Sequence, residues 1–143
     1  VDVINALYKA SQAGVRIELI VRGVCALRSG VPGLSENIRV RSIIGRFLEH
    51  SRVFYFHADG QEQVYLSSAD WMARNFFRRV EIAFPILNPV LKKRVINESF
   101  IFPLKDNVLS WEQKPSGEYE RIKNRREPFN IHQYLMNLLG KAS

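Results

Sequence analysis

His50 and Arg52 stand two residues apart, just ahead of the apolar run Val53-Phe54-Tyr55-Phe56. In an extended backbone, residues i and i+2 point to the same side, so the imidazole and the guanidinium would share a face. A second apolar run, Val64-Tyr65-Leu66, empties into Ser67 and Ser68. Ala58-Asp59-Gly60 lies between the runs, and Asp-Gly is a strong signal for a hairpin turn. Such a hairpin would gather an imidazole, a guanidinium and two hydroxyls at one end. These groups suit phosphate: a histidine can attack phosphorus, move a proton or donate to a phosphoryl oxygen. The plainer alternative is a structural histidine at a strand entrance.

Other groups could join them. Arg22 follows the apolar stretch Leu19-Ile20-Val21, and functional groups of α/β sheets collect beyond the carboxyl ends of strands. It reads as an anion ligand or as an exposed charge closing a strand. Arg79 and Glu81 alternate with Val80, Ile82 and Phe84 ahead of Pro85, which predicts a strand with both charges on one face. That pair is either a surface ion pair or a phosphate-gripping arginine directed by a carboxylate. His57 reads as a hairpin-edge group and His132 as a surface group on the last helix. Lys92, Lys93, Arg94 and a basic cluster over residues 121–126 could bind polyanion or simply be solvated.

The elements that must position these residues follow from periodicity. Val3, Ile4, Leu7, Tyr8 and Ala10 predict a helix over residues 2–13, with Gly14 as its stop. A strand follows over residues 15–21, entering the core at its end. Residues 38–48 fit a helix less cleanly, and their first part, which alternates, could be extended. Residues 52–56 and 63–66 predict the hairpin strands, and residues 67–77 a helical or irregular segment. Asn88-Pro89 opens a helix running to about residue 100, with Asn as cap and Pro in the first turn. A second hairpin surrounds Pro115-Ser116-Gly117, and residues 129–139 predict a closing amphipathic helix. Helix, glycine and strand in succession give an α/β fold: one domain over residues 1–143, with a mixed β-sheet flanked by helices.

Composition narrows the function. The chain has 143 residues, 46% of them apolar, enough for one core. Lys and Arg number 21 against 14 Asp and Glu, a net charge of +7, which favours anionic partners. Cys25 is the single cysteine, so no internal disulfide forms and a reducing compartment is the default. No Cys/His set has metal-ligand spacing, no apolar run is long enough for a bilayer, and no Gly-rich phosphate loop is present. Aromatic and basic residues do not interleave as on RNA-binding surfaces, so nucleic acid is not expected. The chain opens within an amphipathic pattern, with no initiator Met and no signal peptide, which reads as a piece of a longer protein.

The hairpin motif resembles the phospholipase D superfamily in order and spacing. His50-Ser51-Arg52 stands for its His-x-Lys, and Ser67-Ser68-Ala69-Asp70 for its Gly-Ser element. Arg52 replaces Lys, Ser67 replaces Gly, and His57 stands where the motif Asp would fall. The last change argues against ordinary phosphodiester hydrolysis by a self-completing homodimer. A non-catalytic polyanion-binding module is the other alternative.

Longer blocks are more specific. Leu19-Ile20-Val21-Arg22-Gly23, the run over residues 31–40, Gly45-Arg46-Phe47-Leu48-Glu49-His50-Ser51-Arg52, Tyr65-Leu66-Ser67-Ser68-Ala69-Asp70-Trp71, the run over residues 75–81 and Leu104-Lys105-Asp106-Asn107 resemble the class-1 polyphosphate kinases. The resemblance is to their C-terminal domain, the second of two phospholipase D-like halves. It implies reversible transfer of the terminal phosphate of ATP to polyphosphate, with magnesium, through a phosphohistidine in the preceding domain. His50 resembles the second active-site histidine, Arg22 the ATP-contacting arginine, and Arg79 and Glu81 further pocket residues. No metal ligand is implied within this chain. The resemblance further implies a homo-oligomer at full length, and a cytoplasmic location, free or membrane-peripheral. The isolated piece would be inactive, since the nucleophile is elsewhere.

Overall fold

Leu7 and Tyr8, with Ile4 one turn earlier, line one side of the first helix and pack against Leu27, Ile38 and Val40. The computed structural model describes residues 2–23, 25–123 and 126–140. Helix α1 spans Asp2–Gln12, with an acidic residue in its first turn and a basic one in its last, as the helix dipole favours. Gly14 ends it at φ 87°, a left-handed conformation that costs glycine little. Ser11 is buried, its hydroxyl accepting from the Asn37 amide at 3.2 Å and its carbonyl from Asn37 Nδ2 at 2.9 Å.

The described chain divides into two compact units, Val1–Leu48 with Lys105–Ser143, and Glu49–Leu104. The predicted mixed α/β organisation is present, but as two sheets rather than one. In the first unit β1 (Ile17–Ile20) pairs parallel with β2 (Ile38–Ile43). Strand β2 pairs antiparallel with β6 (Ser110–Gln113), and β6 with β7 (Tyr119–Arg121). The sheet is therefore mixed, in the order β1-β2-β6-β7.

In the second unit β3 (Val53–Ala58), β4 (Gln61–Ser67) and β5 (Ala83–Pro85) form an antiparallel sheet. Asp59 and Gly60, at φ 49° and 74°, make the predicted two-residue turn. Helix α2 covers Ala73–Arg78. Helix α3 (Pro89–Ile96) starts at Asn88, whose side chain accepts from the Val90 and Leu91 amides. It runs on through a π-helical segment, Asn97–Ile101, into α4 (Phe102–Lys105), beyond the predicted end near residue 100. Helix α5 (Ile131–Leu139) closes the chain, capped by Asn130.

Three expectations need correction. Residues 38–43 form a strand, and residues 44–48 are irregular instead of helical. Ile38, Val40 and Ser42 alternate inward, so the two-residue period prevails over the helical one. Gly45 then passes so close to Leu109 and His132 that an added Cβ would meet them at 2.7 and 2.8 Å. Second, residues 79–82 precede β5 rather than belonging to it. Third, His132 is 3% exposed, not a surface group. Its Nδ1 accepts from the Phe47 amide at 3.5 Å, and its ring lies 5.2 Å from that of Phe47.

Candidate active site

Strand pairing builds the site in the second unit. The register sets Val53 opposite Leu66, and the Ser67 amide donates to the Arg52 carbonyl at 2.9 Å. The hairpin thus closes with Arg52 and Ser67 facing each other, as its sequence predicts. Arg52 then turns in two directions. Its Nε donates to Asp70 Oδ1 at 2.9 Å, and its Nη1 to the His50 carbonyl at 3.1 Å. The bond to Asp70 holds the guanidinium even more firmly protonated than usual. Arg52 therefore bridges both ends of the hairpin and fixes the backbone that carries His50.

The His50 side chain is exposed and makes no hydrogen bond or ion pair among the described residues. The two serines do not bond it. Ser67 Oγ accepts from the Ala69 amide at 3.0 Å, folding the chain just past β4. Ser68 Oγ donates to Glu81 Oε2 and accepts from the Ile82 amide at 3.0 Å. The Ser68 amide returns a bond to the Ile82 carbonyl at 3.0 Å. The hydroxyls thus shape the scaffold around the histidine.

Glu81 is held at both oxygens. Ser68 takes one, and Asn75 Nδ2, from α2, donates to the other at 2.8 Å. These two bonds, first from Ser68 and then from Asn75, push the carboxyl below the usual carboxylate range, helped by the nearby Arg79 and Arg52 cations and opposed by partial burial. Asn75 is 4% exposed, so the anchor reaches into the unit's interior. Arg79 stands two residues ahead, at the end of α2 in extended backbone. It is exposed and holds no hydrogen bond or ion pair among the described residues. Glu81 thus acts on Arg79 only through its field, and the exposed guanidinium keeps its paired donors open to solvent.

Arg22 lies in the first unit, in an exposed bend directly after β1. That is the predicted strand-end position. His50, Arg79 and Glu81 all belong to the second unit. Asn124 and Arg125 of the basic cluster lie outside the described residues. A surface hollow in the first unit is lined by Trp111, Tyr119 and Glu120 with Arg121 and Lys123 of the basic cluster, and His50, Arg22, Arg79 and Glu81 do not border it.

Sequence reasoning missed Asp70 as the partner of Arg52, and Asn75 as the anchor of Glu81. The first had a signal: opposite charges just outside the two paired ends of a predicted hairpin. The second had none in local pattern, because the contact joins a short helix to an irregular turn. Among the described residues, no group of three or more His, Cys, Asp or Glu could hold a metal ion, and no helix is long and apolar enough to cross a membrane.

Known proteins resemble the chain over nearly its whole length. The family model for polyphosphate kinase C-terminal domain 2 matches residues 1–133. The polyphosphate kinase of Burkholderia multivorans is 61% identical over 140 residues, which are 98% of this chain and 20% of that protein. That of Paraburkholderia phytofirmans is 61% identical over 139 residues, 97% of this chain and 20% of its own length. The crystal structure of polyphosphate kinase from Porphyromonas gingivalis superposes with a TM-score of 0.92 at 39% identity, covering 99% of this chain and 22% of that one. The chain thus spans about a fifth of the length of the curated relatives it matches. By these matches the chain belongs to the polyphosphate kinase C-terminal domain 2 family.

Proposed function

We propose that these 143 residues are the C-terminal domain of a longer polyphosphate kinase and supply half of its active site. The observation that carries this reading is the 61% identity to named polyphosphate kinases across nearly the whole chain. The domain is the second of two phospholipase D-like halves. In the reaction, a histidine of the preceding domain attacks the terminal phosphorus of ATP. The N–P bond forms as the P–O bond breaks, and ADP leaves. A terminal oxygen of polyphosphate then attacks the same phosphorus, the N–P bond breaks, and the polymer is one phosphate longer. Both steps reverse.

Phosphoryl transfer asks the protein mainly for positioning and charge stabilisation. Arg22 and Arg79 grip phosphate oxygens, with Glu81 setting the direction of Arg79. His50 is the unphosphorylated partner: protonated it stabilises the leaving phosphate, and neutral it takes a proton. Its exposed, unengaged ring on a backbone pinned by Arg52 supports that role. Magnesium would enter with the nucleotide and offset its phosphate charge, held by residues outside this stretch. The substrates are ATP or ADP and polyphosphate, and the full enzyme is a cytoplasmic homo-oligomer, free or membrane-peripheral.

The test is transfer of terminal phosphate from labelled ATP into polyphosphate by the full-length enzyme. His50→Ala should lower kcat by ~10²–10⁴-fold, and Arg79→Ala should cost ~2.7–4 kcal/mol in the barrier. Unchanged rates in both variants would refute the half-site.

A further inference from the structure

His132 is 3% exposed, and the proposed reaction does not use it. It stands in the first turn of α5, which its own bonds fix in place. Asn130 caps that turn through the Gln133 amide, and the Ile131 amide donates to Asp106 Oδ2 at 2.8 Å. The ring faces residues 44–47. Nδ1 accepts from the Phe47 amide at 3.5 Å, a long bond, and the Phe47 ring lies 5.2 Å away. Gly45 passes so near that a Cβ there would stand 2.8 Å from Nδ1 and 3.0 Å from Cε1. The Ile44 amide donates to the Leu109 carbonyl at 3.1 Å.

Burial alone makes a histidine a packing group. This one differs in what it holds. Residues 44–50 belong to no helix or strand, so no ladder fixes them and side-chain contacts must. Phe47 and His50 are three residues apart, a reach of at most roughly 11 Å. Beyond Phe47, Arg52 Nη1 donates to the His50 carbonyl at 3.1 Å. That bond is local, spanning two residues, whereas His132 acts across 85. His50 thus sits on a short strap held at both ends.

We propose that His132 is a positioning residue: its ring holds the strap at Gly45 and Phe47 and so narrows the positions open to His50 during phosphoryl transfer. The inference deepens the proposed function and rests on the role given there to His50. His132 itself touches no substrate. Phosphoryl transfer is sensitive to such a restraint, because a misplacement of about 1 Å can slow an enzyme ~10²-fold.

The experiment is a double-mutant cycle in the full-length enzyme, read by steady-state kinetics per folded molecule. His132→Phe keeps a flat ring and removes the acceptor. It should lower kcat roughly 10- to 100-fold at unchanged KM for ATP. His132→Asn returns an acceptor near the place of Nδ1 and should recover most of that loss. In His50→Ala, His132→Phe should slow the enzyme no further, since it acts through His50. Should His132→Phe not fold, Gly45→Ala decides instead: its added methyl displaces the same ring, and its loss of kcat should vanish in His50→Ala. Full kcat in the single variant would overturn the inference. So would losses that add in the double variant, or a lowered melting temperature with undiminished kcat, which marks a merely structural group. His50→Ala alone separates the two readings. If it is slow while the cycle fails, only the positioning role is lost; if it is as fast as the unaltered enzyme, the proposed role of His50 falls first.

Discussion

The two units use polar side chains in opposite ways. In the first they are buried and spent on the fold. Ser29 donates to Gln113 Oε1 at 2.9 Å, and the Ser29 amide reaches the same oxygen at 3.0 Å. Asp106 is 1% exposed, its Oδ1 accepting from the Val108 and Leu109 amides and its Oδ2 from the Ile131 amide. One carboxylate thus ties the start of β6 to the start of α5. In the second unit the polar network lies at the surface, between exposed His50 and Arg79, with apolar side chains turned outward beside it. A buried network specifies a fold, because each unpaired member is costly. The exposed network leaves His50 and Arg79 open to solvent, as the proposed half-site requires.

This contrast can be broken at several points. The largest stability effect should come from the first unit. Asp106→Ala strands three backbone amides, and at roughly 1–3 kcal/mol for each unsatisfied buried donor the loss should approach or exceed about 3 kcal/mol in denaturant unfolding. A shift below about 1 kcal/mol would mean that the buried network is not what holds that unit. Glu81→Gln sharpens the other side. It should leave the melting temperature nearly unchanged yet reduce kcat up to ~10²-fold, the cost of a misdirected positioning group, as read by steady-state kinetics of the full enzyme.

The same carboxylate carries a pH signature. Its folded pKa lies below the unfolded value. Its contribution is therefore complete above the ordinary carboxylate range and is lost as pH falls through the depressed folded value. Acid unfolding followed by circular dichroism should begin at the same or slightly higher pH in Glu81→Gln, and never at lower pH. Asn88→Ala removes the two cap bonds of α3 and should cost about 1 kcal/mol in thermal unfolding. The smallest effect belongs to Asp70→Asn. The Arg52–Asp70 pair is partly exposed, so its loss should barely move the melting temperature, while loosening the backbone that carries His50.

Much of the fold was legible where local signals agreed with long-range packing. Asp59-Gly60 placed the hairpin turn, Gly14 the end of α1, and Asn88-Pro89 the start of α3. Legibility failed where tertiary contacts decide. Residues 44–48 carry apolar residues at helical spacing, yet Gly45 is pressed against Leu109 and His132, which local pattern cannot show. His132 looked like a surface group because its helix is amphipathic, and its burial depends on a segment more than eighty residues away. The alternation over residues 79–84 predicted a strand, yet residues 79–82 are irregular and Val80 and Ile82 lie exposed. The pattern overreached because β4 pairs with only two of those residues, Ala83 and Phe84, and then with Pro85. For the site, the sequence supplied His50, Arg22, Arg79 and Glu81 as candidates through type and resemblance. It carried a signal for the Asp70 anchor, opposite charges flanking the hairpin, but none for Asn75, whose bond to Glu81 exists only once the turn after β4 has folded.

The most direct test of the half-site is phosphopeptide mapping of the full-length enzyme after incubation with ATP, at a pH that preserves phosphohistidine. The account predicts phosphate on a histidine outside these 143 residues, still detectable in His50→Ala. Stable phosphate on His50 itself would contradict it.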